Sequence, residues 1–176
     1  VSVEIVFETH SWSVDNDRGH ATGWLPGELS ARGRLLAGEL GLRRRDDGIA
    51  AVFTSDLRRA LETAEIAFAS TKIPVLHDWR LRECDYGWHN GMPVGQLDKA
   101  KYVDEPYPGG ESWRQAVSRA GGFLKDLPSR WDGLRVLVIG HVATRWALDH
   151  FVTGRPLEEL ATADFAWREG WEYRIG

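Results

Sequence analysis

Val136-Leu137-Val138-Ile139-Gly140-His141 is an uninterrupted apolar run closed by a glycine and a histidine. With no polar residue on either alternating face, such a run is the pattern of a central strand covered on both sides in a parallel sheet. The sequence on either side supports that reading. Residues 142–152 are helical in composition, and Trp113, Ala116, Val117, Ala120, Leu124 and Leu127 recur at helical spacing ahead of the run. Further upstream, Val3, Ile5, Val6 and Phe7 form a first strand, 50–53 a second and 74–76 a third. Between these lie two helices. One spans 29–45, with Ser30 as N-cap and Leu35, Leu36 and Leu40 on one face; the other carries Leu57, Ala60, Leu61, Ala64 and Phe68 on a stripe. Residues 171–175 complete the set as a last strand. Short apolar strands alternating with helices predict a three-layer α/β/α sandwich around a largely parallel sheet.

The chain has 176 residues, enough for one domain with its own core, and 1–176 reads as a single domain. Residues 87–110, rich in glycine and proline, form a short insert placed to act as a cap. The formal net charge of −4 argues against a general nucleic-acid binder. A lone cysteine, Cys84, excludes an internal disulfide framework and a cysteine-built metal site. No apolar run reaches the length of a membrane span, and 1–7 lacks the pattern of a signal peptide, so a cytoplasmic setting is expected. Nine tryptophans outnumber six phenylalanines and four tyrosines, which raises the question of where so much indole is used.

In parallel α/β sheets, ligands bind beyond the carboxyl ends of the strands. His10 follows the first strand and His141 the apolar run; Ser55, Asp56, Arg58 and Arg59 follow the second strand, and Glu83 lies near the end of another segment. Two histidines, an arginine and a carboxylate at one sheet edge suit phosphoryl transfer. An imidazole attacks phosphorus, a guanidinium neutralises the phosphoryl oxygens, and a carboxylic acid protonates the departing alcohol. Taken singly, each has a plainer reading: a loop histidine, a solvated helix arginine, or a surface carboxylate paired with Arg80 or Arg82. No histidine pair has metal-ligand spacing, and Asp149-His150 falls inside a helix.

Six fragments occur in a telling order: Thr9-His10-Ser11-Trp12-Ser13 with Asn16; Leu29-Ser30-Ala31-Arg32-Gly33; Ser55-Asp56-Leu57-Arg58-Arg59-Ala60-Leu61-Glu62-Thr63-Ala64; Leu81-Arg82-Glu83 with Gly87 to Gly91; Gly109-Gly110-Glu111-Ser112 with Arg119; and the run ending at His141. Together they resemble the histidine phosphatase superfamily, which includes the phosphoglycerate mutases and acid phosphatases, from Val3 to about Leu160. The resemblance implies a phosphoglycerate mutase-like fold. It also implies His10 as nucleophile, Arg59 as phosphate clamp, His141 as a second phosphate contact and Glu83 as proton donor and then base. Asn16 and Arg18 would lie near the phosphate. Glu111 and Ser112 at a helix start are equally well read as a cap.

The chain departs from the family pattern beside the nucleophile. Thr9 stands where the family has arginine, Ser11 where it has glycine, and Val142 where a small residue is usual; Glu8 adds a negative charge. Losing one cationic clamp costs about 2–4 kcal/mol of transition-state stabilisation. Arg18, Arg145 and His20 are the candidates to replace it. Trp113 and Trp146 fall on apolar stripes and read as core. Trp12, Trp24 and Trp88, with His89, fall in loops near His10 and read as the substrate side, favouring a flat or apolar substrate. The leading reading is a phosphatase that hydrolyses a small organic phosphomonoester through a phosphohistidine on His10, with no metal or other cofactor and no nucleic-acid or membrane partner. The insert at 87–110 is too short to make much of a cap over a retained intermediate, which argues against a mutase. The rivals are a divergent enzyme doing acid–base chemistry on an apolar or aromatic substrate, and a catalytically silent binding module.

Overall fold

In a computed structural model covering Val1–Gly176, five strands form one sheet in the order β3-β2-β4-β1-β5. They are β1 (Val3–Thr9), β2 (Ile49–Thr54), β3 (Val75–His77), β4 (Arg135–Gly140) and β5 (Trp171–Ile175). The first four are mutually parallel, and β5 closes the edge antiparallel to β1, with Phe7 opposite Trp171. The α/β sandwich expected from the sequence is therefore present, with β4 at its centre. Val136 and Val138 face one layer of the core while Leu137 and Ile139 face the other, which is why no polar residue interrupts this strand.

Helices α2 (Ala31–Arg44) and α3 (Arg58–Phe68) cover one face of the sheet. On the other lie α4 (Trp113–Asp126), α6 (Val142–Thr153) and α7 (Leu157–Thr162). Three short helices, α1 (Val14–Arg18), α5 (Pro128–Trp131) and α7, have no counterpart in the sequence reading, because four to six residues carry too little periodicity. The Ser30 cap is present: its hydroxyl accepts from the Gly33 N–H at 3.1 Å. The apolar face predicted for α2 needs correction. Leu35 is exposed; the buried positions are Gly33, Ala37, Leu40 and Gly41, so small residues let this helix lie close to its neighbours. Residues 87–110 hold only two one-turn 3-10 helices, 87–89 and 94–96.

No helix is long and apolar enough to cross a membrane. Trp113 and Trp146 are buried as expected, their ring centroids 4.3 Å apart.

The glycine of the Leu29 to Gly33 fragment has a steric origin. A Cβ at Gly33 would stand 1.8 Å from the Trp12 carbonyl oxygen, in the loop that follows β1, whereas one at Gly38 on the same helix would meet nothing within 4 Å. Substitution at the two sites should act in opposite directions. Gly33→Ala lowers the unfolding free energy by about 1–3 kcal/mol through overpacking, and Gly38→Ala raises it by about 0.5–1 kcal/mol through helix propensity. Urea melts of the two variants check this, and a neutral Gly33→Ala would refute the close contact.

Candidate active site

β1 and β4 are adjacent and in register, with Thr9 opposite Gly140, so the residue following each strand emerges at the same point of the sheet edge. The ladder continues one step further, as the His10 N–H donates to the Gly140 carbonyl at 2.9 Å. This sets the His10 and His141 rings side by side, centroids 5.1 Å apart.

Backbone and hydroxyl contacts orient both imidazoles. His10 Nδ1 lies 2.7 Å from the Ser11 carbonyl oxygen, which can only accept, so Nδ1 carries the proton and Nε2 has its lone pair free. His141 Nε2 lies 2.7 Å from Ser55 Oγ, and that hydroxyl already accepts from the Leu57 N–H at 3.3 Å. The Ser55 hydroxyl has no other acceptor for its proton, so donation to Nε2 is the arrangement that uses it, and this places the His141 proton on Nδ1, a buried atom with no partner in the protein. Burial, reinforced by the Arg59 charge, lowers the His10 pKa to about 3, even though its ring opens partly onto the cavity. The same two causes, with His10 itself adding to them, hold His141 well below the ordinary histidine range.

Arg58 and Arg59 divide as the two readings of an arginine predict. Arg58 is exposed and paired with Glu28 and Glu62. Arg59 is 2% exposed, forms no salt bridge, and donates to the carbonyls of Gly23 at 2.9 Å and Leu25 at 3.4 Å. Desolvation lowers its pKa from the usual arginine value. Thr63 ties the helix bearing Arg59 to the nucleophile loop, accepting from the Ser11 N–H at 2.9 Å and donating to the Arg59 carbonyl at 2.7 Å.

Glu83 is buried and has no arginine partner; Arg80 pairs with Asp78 and Asp126, and Arg82 with Asp56. Its carboxylate accepts from the N–H groups of Cys84 at 2.9 Å, Ala143 at 3.1 Å and Val142 at 3.3 Å, the last two at the N-terminus of α6. Glu111 pairs with Arg119 at 2.7 Å and Ser112 caps α4, so both have structural duties.

These groups share one cavity of about 550 Å³, lined by His10, Arg59, Glu83 and His141 among others. Thr9, Trp12, Asn16 and His20 also reach its wall. Trp12 does not plug it: the indole N–H is engaged by Asp17 and Arg32 lies over the ring. Glu8 points away from the cavity, bound to Arg43 at 2.8 Å and Arg44 at 2.9 Å.

Other residues assigned to the substrate side lie elsewhere. Arg18 is exposed and off the cavity wall. Trp24 lies against the Arg82 and Arg119 guanidinium groups, its N–H donating to the Glu83 carbonyl, so it braces the irregular segment that carries Glu83. Trp88 is 84% exposed and turned outward, and His89 packs edge-on against Tyr102 and Tyr107. Arg145 pairs with Asp149 beneath Trp171 and is not at the wall. Sequence reasoning missed Ser55 as the partner of His141, and Lys99, Phe165 and Trp167 on the wall. The serine stood in a quoted fragment; the other three lie in irregular segments with no period to mark them.

Two imidazoles, a buried guanidinium without a salt bridge and a buried carboxylate thus share one cavity at the edge of a parallel sheet. The profile of the histidine phosphatase superfamily (branch 1) matches residues 8–166, and the chain belongs to that family. It is 32% identical over 161 residues to phosphoserine phosphatase 1 of Hydrogenobacter thermophilus, covering 83% of this chain and 74% of that protein. It is 33% identical over 128 residues to the 2,3-bisphosphoglycerate-dependent phosphoglycerate mutase of Corynebacterium diphtheriae, covering 70% of this chain but only 50% of the mutase. The solved structure of Bacillus stearothermophilus YhfR superposes with a TM-score of 0.84 at 27% identity, covering 97% of this chain and 90% of that one.

Because both imidazoles stay neutral in the folded chain, the unfolded chain binds more protons below about pH 6.5. Stability is therefore lost as pH falls from 6.5 toward 3, by up to about 1.4 kcal/mol per pH unit for each imidazole. Urea melts at pH 7.5 and 5.0 should show this loss, and it should be smaller in His141→Gln. An NMR titration that finds His10 or His141 protonating near 6.5 would contradict it.

Proposed function

We propose that the chain is a phosphatase that hydrolyses a small organic phosphomonoester through a phosphohistidine on His10. The observation that carries this reading is the Arg59 guanidinium, buried at the cavity wall with only backbone carbonyls as partners. A buried cation with no salt bridge, offset only at a distance by Glu83, is costly, and a bound oxyanion reduces that cost.

In the first step His10 Nε2 attacks phosphorus. The P–N bond forms as the ester P–O bond breaks, and Glu83, entering this step protonated, gives its proton to the departing alcohol oxygen and is left as the carboxylate that the three N–H groups hold. Arg59 and the free His141 Nδ1–H hold the phosphoryl oxygens as charge shifts toward them. In the second step water attacks phosphorus, Glu83 takes the water proton, and the P–N bond breaks to return neutral His10. Asn16 acts indirectly: its side chain accepts from the Ser13 N–H at 2.9 Å and shapes the loop after His10. The small-molecule substrate and the cytoplasmic setting belong to the same proposal.

Acid–base chemistry on a non-phosphorylated substrate fits less well. An imidazole with a pKa near 3 is a weak base, and such a reaction would give the Arg59 guanidinium no bound anion to hold. A silent module is disfavoured by the cavity, which neither Trp12 nor Glu8 fills.

His10→Ala should reduce phosphomonoester turnover by at least about 10³-fold and abolish an acid-labile phosphoenzyme in rapid-quench trapping. Arg59→Met should cost about 10²–10³-fold in kcat/KM. Turnover that persists in His10→Ala would overturn the mechanism.

A further inference from the structure

The cavity does not end at the phosphate site. It continues past Thr9 into a lobe between α2 and the segment before β5, walled by Leu36, Leu40, Phe165 and Trp167. Several contacts fix this wall. Phe7 pairs with Trp171, and Arg44 donates to the Glu169 carbonyl at 2.8 Å while its Nε binds Glu8 on β1. The Phe165 ring lies 6.4 Å from that of Trp171, beneath the Arg145 guanidinium. Phe165 and Trp167 are nonetheless 49% and 59% exposed, so their faces are open to a ligand.

Charge on the lobe selects against a second anion. Glu39 and Glu169 reach its wall, the positive charge of Arg43 is committed to Glu8 through two hydrogen bonds of 2.8 and 2.9 Å, and the other wall cations outside the phosphate site, Arg32 and Lys99, lie against the Trp12 ring and the Trp113 and Trp146 rings. A long cationic side chain at position 9 would project into the passage between His10 and this lobe. Threonine leaves the passage open.

We propose that the lobe is the subsite for the alcohol half of the substrate, and that it takes an uncharged, flat, apolar group, so the preferred substrates are phosphomonoesters of aryl-substituted alcohols. This rests on the phosphatase reading above. Phe165 and Trp167 supply the stacking faces, Leu36 and Leu40 the floor, and Thr9 the clearance.

The test compares 2-phenylethyl phosphate with sn-glycerol 3-phosphate and phosphoserine, all esters of unactivated alcohols, so that leaving-group acidity does not set the order. kcat/KM should favour the phenylethyl ester by at least about 10-fold, the scale expected for burying one aromatic ring. That ratio should fall toward one in Trp167→Ala, in Phe165→Ala, and in Thr9→Arg, which fills the passage. A ratio near or below one in the wild type, or one unmoved by all three substitutions, overturns the subsite and leaves the phosphatase reading intact. If no ester is turned over, the phosphatase reading fails, and calorimetry with two non-hydrolysable probes judges the lobe separately. 2-Phenylethylphosphonate should bind at least about 10-fold more tightly than ethylphosphonate, with the advantage lost in Trp167→Ala; equal binding overturns the subsite.

Discussion

The parallel pairing of β1 with β4 is the constraint on which the rest depends. Because Thr9 and Gly140 are directly opposed, the next residue of each strand leaves the ladder at the same height, and both are histidine. A shift of either strand by one residue would turn its side chains to the other face and separate the rings. The register is held because both strands are buried on two sides: Val136 and Val138 pack toward one helical layer, Leu137 and Ile139 toward the other. The same apolar alternation that makes the core thus sets the spacing of the site.

Around this fixed pair, most of the site is oriented by main-chain groups. The Ser11 carbonyl sets the His10 tautomer, two carbonyls hold Arg59, and three N–H groups hold Glu83. Backbone dipoles restrain a charged side chain without cancelling its charge, as a paired residue would. By contrast, the arginines that do have carboxylate partners, such as Arg43, Arg80 and Arg82, serve the scaffold. The two kinds of arginine differ both in what they face and in how deeply they sit: Arg59 is buried, whereas Arg43, Arg80 and Arg82 are partly open to solvent.

Much of this was legible in the residues. The run at 136–141 specified a central strand, and His10 and His141 at two strand ends, Arg59 in the first turn of α3 and Glu83 in the irregular segment after β3 all reach one cavity. Arg59 was separable from Arg58 only by register within its fragment, since nothing in two adjacent arginines says which is buried. The tryptophans were read less well. Loop position placed Trp24 and Trp88 near His10, but Trp24 lies against two arginines and Trp88 faces solvent. The aromatic wall comes instead from Phe165 and Trp167, held there by a pairing between β1 and β5 that joins residues far apart in the chain. Such long-range proximity leaves no local period. Leu35 was misassigned for a related reason: small residues at Gly33, Ala37 and Gly41 make the close face of α2, and the larger leucine stays outside.

Arg59 also has a meaning for the energetics of the whole fold. A guanidinium in the interior with no salt-bridge partner, offset only at a distance by the charge of Glu83, is a standing destabilisation of the empty protein, which an apolar residue of similar volume would relieve. The chain is therefore poised below the stability its core could support, and the deficit sits at the cavity rather than being spread through the scaffold. Stability of the empty chain and positive charge in the cavity therefore oppose each other at this one side chain.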